Sequence, residues 1–64
     1  MLGDIDLLIS MELGRKLLDD NSLIGIPMNV HKIPNTNNVR VVYDNALGEF
    51  EAVFNGETGK IIST

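Results

Sequence analysis

Val39-Arg40-Val41-Val42-Tyr43, then Asp44-Asn45-Ala46-Leu47-Gly48, then Glu49-Phe50-Glu51-Ala52-Val53-Phe54 is the stretch that decides the fold. Val39, Val41 and Tyr43 alternate with Arg40, Val42 and Asp44, the period of a strand with one face on a core. Phe50, Ala52 and Phe54 alternate in the same way with Glu49, Glu51 and Val53. The polar, Gly-ending segment between the two runs closes a hairpin. The two phenylalanines are expected to supply much of the core, because aromatic side chains bury the most area.

Outward from this hairpin, Asn55-Gly56-Glu57-Thr58-Gly59 reads as a second tight turn, and Lys60-Ile61-Ile62-Ser63 as a short terminal strand or a strand extension. Gly56 and Gly59 are the residues expected to take positive φ, since glycine does so without steric cost. On the other side, Asn35-Thr36-Asn37-Asn38 is a turn, because Asn bonds its own backbone and tolerates left-handed conformations. Before it, Met28, Val30 and Lys32 alternate with Asn29 and His31 in a short strand, which Pro34 places at a sheet edge. Ser22 to Pro27 holds Gly25 and Pro27 and reads as a connector, with Leu23, Ile24 and Ile26 free to fold over the core.

From Asp4 to Asp20 the spacing turns helical. With about 100° per residue, Leu7, Met11, Leu13, Leu17 and Leu18 share one face with Gly14, and Glu12, Arg15, Lys16 and Asp19 lie opposite. Asp4 is the expected N-cap, and Asp19-Asp20-Asn21 ends the helix by adding negative charge where the macrodipole is already negative. Gly14 costs about 1 kcal/mol relative to Ala in a helix interior, so either a strand or partner helix approaches closely there or the glycine is simply tolerated in a helix held by tertiary packing. The fold class is therefore α+β, one N-terminal helix packed on a three- or four-stranded antiparallel meander. Residues 1–64 are read as a single small domain.

Composition narrows the function. Nine acidic against 5 basic residues give a net charge of −4, which disfavours phosphate-backbone binding as the main activity. The absence of cysteine removes disulfides, thiolate metal sites and cysteine nucleophiles together. A chain of 64 residues buries only about 60% of its unfolded surface, which leaves little room for a catalytic cleft. No apolar run is longer than that of Leu7-Leu8-Ile9, far short of the roughly twenty residues of a membrane span. Asp4 and Asp6 stand where a secretory signal would be positive, so the chain as it stands is expected in the cytoplasm, and outside it only if a leader has been removed.

The motifs yield no catalytic, cofactor or metal site. Gly56-Glu57-Thr58-Gly59-Lys60 suggests a phosphate-binding loop, but Phe54 stands where that loop needs its first glycine and Ile61 where it needs Ser or Thr. His31 is the only histidine, so neither a His-His metal pair nor a serine triad with a second imidazole can be assembled. Glu49 and Glu51 share an exposed strand face and Asp19 with Asp20 a helix end, without the desolvated partner that acid–base work requires. Arg40 is expected to pair across strands with Glu49 or Glu51.

Val39-Arg40-Val41-Val42-Tyr43, Glu49-Phe50-Glu51-Ala52-Val53-Phe54 and Asn55-Gly56-Glu57-Thr58-Gly59-Lys60-Ile61-Ile62 together resemble the PepSY domain, and the resemblance runs from Val39 to the end of the chain. Its sharpest element is Thr58-Gly59-Lys60-Ile61-Ile62. Asn55 stands where that family usually has Asp, and the leader expected of a mostly extracytoplasmic family is not the reading that Asp4 and Asp6 favour. The resemblance implies a non-catalytic module that binds or restrains a partner, often a protease, and it carries over no active-site residue.

The functional expectation is a small non-catalytic protein-interaction or inhibitory module acting through an apolar surface. Leu8, Ile9, Val42 and Val53 are its candidate interaction residues, because they lie off the principal core face. The partner is another protein, with a homodimer as one way to cover the surplus apolar area; nucleic acid and membrane are not expected partners. The alternative is an acidic regulator that blocks a nucleic-acid-binding site on a partner enzyme by charge mimicry. For the fold itself, Phe54→Ala should cost about 3–5 kcal/mol, and a native-like melting curve for that variant would remove Phe54 from the core.

Overall fold

The described residues, 2–64, with side chains from Met11 onward, come from a computed structural model. Helix α1 spans Leu2–Asp20, and four strands follow: β1 Ile26–Lys32, β2 Asn38–Asn45, β3 Gly48–Asn55 and β4 Ile61–Ser63. The strands form one antiparallel sheet in the order β1-β2-β3-β4. Each strand thus pairs with its neighbour in sequence, as short turns between antiparallel strands allow. The α+β meander read from the sequence is the fold, with four strands.

α1 begins at Leu2, so Asp4 lies inside its first turn rather than at the N-cap position. The other end closes as a Schellman motif. Leu23 N donates to Leu18 O at 2.9 Å and Ser22 N to Asp19 O at 3.2 Å, the paired bonds that satisfy the last helical carbonyls. Ser22 holds the left-handed position at φ 60°, which is usually a glycine's. Leu23 packs on the core as that motif requires.

The core is formed by Leu17 and Leu18 of α1, Val39, Val41 and Tyr43 of β2, and Ala52 and Phe54 of β3. Val41 and Phe54 are fully buried, so the alternation in both central strands is as expected. Phe50 departs from it and remains 40% exposed. It pairs with Tyr43 in the register, and their ring centroids lie 5.8 Å apart. The chain that covers this end is Gly25, where a Cβ would sit 2.6 Å from Tyr43 Cδ2. Having no side chain, Gly25 shields the Tyr43 ring but cannot reach on to Phe50.

β1 is an edge strand, but its pattern differs from simple alternation. The register shifts between Pro27 and Asn29, so a bulge at Met28 inserts one extra residue and resets the faces. Pro27, opposite Tyr43, becomes the buried residue, and Met28 is 52% exposed. Pro27 thus belongs to the strand and not to the connector. Ile24 and Ile26 do not fold over the core either: they are 81% and 62% exposed.

Gly14 is buried in the contact between α1 and the sheet. A Cβ there would lie 2.6 Å from Val30 Cγ2 and 3.4 Å from Pro27 Cβ, so the close approach is to β1 and not to a partner helix. The remaining glycines divide differently from the expectation. Gly59 has φ +75° and Gly48 φ +132°. Gly56 is not among the positive-φ residues; it is required because a side chain would collide with the Asn37 carbonyl.

Two substitutions test these contacts. Gly14→Ala should lower stability even though Ala is the better helix former by about 1 kcal/mol, because Val30 is stiff at χ1 and overpacking costs about 1–3 kcal/mol. Ser22→Gly should raise stability by up to about 1 kcal/mol by relieving a left-handed Ser. Thermal melts of both variants read the two signs directly.

Candidate interaction surface

Because Val39, Val41 and Tyr43 turn toward α1, the residues between them turn away, and the register builds the outer face of the sheet in rows. Ile26, Asp44 and Glu49 form the first row, beside the β2–β3 hairpin. Asn29, Val42 and Glu51 form the second, and His31, Arg40, Val53 and Ser63 the third. Val42 and Val53 are therefore diagonal neighbours, about 7–8 Å apart in such a sheet, and each is half-buried. The outer face brings these two expected interaction residues together. Leu8 and Ile9 lie on α1, with side chains outside the described residues.

Charge on this face is uneven. Arg40 Nε lies 3.6 Å from Glu51 Oε2, the cross-strand pair expected from sequence, and its exposure limits it to less than about 1 kcal/mol. Asp44 stands directly opposite Glu49, both exposed. Like charges in that position oppose each other and destabilise the pairing. Only Lys16–Asp20 and Arg40–Glu51 form ion pairs among the described residues, so this carboxylate pair has no cation of its own.

An apolar cluster borders the acidic row. Leu47 at the apex of the hairpin is 87% exposed, and Ile24, Ile26 and Phe50 surround the same end of the sheet. Asn45 ties the backbone of two of these residues: its Nδ2 donates to Ile24 O, and its Oδ1 accepts from Leu47 N at 2.8 Å. Sequence reasoning places Ile24, Ile26 and Phe50 on the core and gives Leu47 no role, whereas all four are exposed. An isoleucine on each side of Gly25 and a leucine within a two-residue turn were the signals that could have found this end, since turns are ordinarily polar.

The β3–β4 turn is a closed structure and no phosphate cradle. Six successive backbone amides, from Gly56 to Ile61, already donate within the chain: to Asn37 O, Asn55 Oδ1 twice, Asn55 O, Thr58 Oγ1 and Asn21 Oδ1. A phosphate loop works by leaving such amides free for the anion. Asn21 joins this turn to the end of α1, since its Nδ2 also donates to Leu17 O at 2.8 Å and Gly59 O at 2.9 Å.

A cleft of about 300 Å³ opens between Leu13 of α1, Val30 and Lys32 of β1, Val39, and Gly56 with Glu57 of the turn. None of the buried side chains among the described residues is polar or charged, so no desolvated catalytic group points into it. Every Asp and Glu from Glu12 onward is exposed, as is His31. Among the described residues no cluster of His, Asp or Glu is placed to hold a metal ion, and no helix is long and apolar enough to cross a membrane. Comparison with protein-family models, curated proteins and solved structures finds no match to this chain.

Two outcomes follow from the turn geometry. ATP at millimolar concentration should leave the amide resonances of residues 56–61 unshifted. Asn21→Ala should destabilise the fold by about 1–3 kcal/mol, because it strips partners from the Gly59 carbonyl and the Ile61 amide. Faster hydrogen exchange at Ile61 than at Val41 would locate that loss in the turn.

Proposed function

We propose that the protein is a non-catalytic interaction or inhibitory module that docks on another protein through the hairpin end and outer face of its sheet. The observation that carries this reading is the apolar cluster of Leu47, Ile24 and Ile26, more than half exposed at each residue, with the backbone of Ile24 and Leu47 tied by Asn45. Large apolar side chains fixed on a rigid hairpin cost little entropy to bind, which is what an interaction surface needs. Val42 and Val53 extend that surface across the sheet. The resemblance of residues 39–64 to the PepSY domain supports a binding role of the same kind.

A second reading draws on Asp44, Glu49 and Glu51, which place three carboxylates on one face. In that reading the face substitutes for phosphates and blocks a nucleic-acid site on a partner enzyme. Partner capture with defined variants separates the two. Apolar docking should be lost with Leu47→Ser and Ile26→Ser and should persist, though weakened, at high salt. Charge mimicry should tolerate both serines and fall steeply as salt shortens the Debye length toward about 3 Å at 1 M.

A further inference from the structure

Resting on the interaction-module reading, the geometry points to the chemistry of the partner: we infer that the outer face receives a cationic amphipathic segment, one carrying Lys or Arg beside large apolar side chains. Three features converge on that occupant. The Asp44–Glu49 pair sits directly opposed across β2 and β3 with no ion pair to either carboxylate among the described residues. Ile26 adjoins Asp44 in the same row, and Leu47 stands at the hairpin apex just beyond. One segment can therefore set a cation between the two carboxylates and an apolar side chain against Ile26 or Leu47.

The same charges exclude other occupants. A second copy laid on this face would bring Asp44 and Glu49 against acidic groups of its own kind or against a chain of net charge −4. Nucleic acid and anionic lipid are repelled for the same reason. Complementary potential is what steers and selects partners at such surfaces. A cation also relieves a repulsion already present in the free protein, so the attraction is gained without breaking an existing pair.

Titration of the isotopically labelled protein with three synthetic helical peptides tests this. They share one leucine pattern and differ only in whether the polar residues are Lys, Gln or Glu. The Lys peptide should give saturable shifts confined to the amides of Ile26, Val42, Asp44, Leu47 and Glu49. Asp44→Asn with Glu49→Gln should weaken its binding at least about fivefold, a ratio that corresponds to about 1 kcal/mol. These residues are exposed, and an otherwise unchanged amide spectrum confirms that the double variant is folded. Equal binding of the Gln peptide to the same face would overturn the cationic partner and leave the interaction-module reading in place. Shifts scattered over the surface, or none on this face, would also overturn it. The module reading is judged separately, by the effect of Leu47→Ser on capture.

Discussion

The whole arrangement depends on how closely α1 can lie against β1 and β2. At Gly14 the helix backbone meets the Val30 and Pro27 side chains without a Cβ between them, and only that proximity lets Leu17 and Leu18 reach Val41 and Phe54. A thicker contact would lift the helix off a core built around Leu17, Leu18, Val39, Val41, Tyr43, Ala52 and Phe54. In so small a domain the margin is narrow, because net stability is the difference between large opposing terms. Asn21 then fixes the far end of the helix to the β3–β4 turn through bonds to Gly59 and Ile61. Packing at one point and polar bonding at another hold the single helix in one orientation over four strands.

What the sequence conveyed well were the elements with strong periodicity. Val39, Val41 and Tyr43, with Ala52 and Phe54, have the burial that alternation implies, because β2 and β3 run in continuous register. The polar face of α1 was equally legible from Glu12 to Asp19. β1 was harder, since one extra residue at Met28 exchanges the faces and no local signal distinguishes a bulge from regular alternation. Phe50 was misplaced for a tertiary reason: its pattern is correct for the inner face, but the chain above that end offers only Gly25. Gly56 was singled out for its backbone angle, whereas the constraint comes from Asn37, distant in sequence.

The interaction surface was legible in part. Val42 and Val53 follow directly from the outward phase of the two central strands, but Leu47, Ile24 and Ile26 lie in turns and at a strand end, where hydrophobic periodicity carries no information. Their exposure results from a short connector that must leave the helix, cross the Tyr43 ring at Gly25 and enter β1 at once. Little chain remains there to fold back over the core. The same economy that closes the fold in few residues therefore leaves apolar side chains on its outside.

The two borders of the sheet bear on how the protein behaves at high concentration. A meander of four strands ends in two lines of unpaired amides and carbonyls, the template on which chains stack into fibrils. At one border Pro27 removes a donor, the irregularity at Met28 twists the strand, and Lys32 places a charge on its inward side, opposite Val39. At the other, β4 pairs only with Val53 and Phe54, and the stretch of β3 it leaves open carries Glu49 and Glu51, charges that discourage a further strand. The β1 border is thus irregular, and the β3–β4 border is charged where it is uncovered. In a chain with isoleucine and leucine on its surface, an irregular edge and a charged one both act against cross-β stacking.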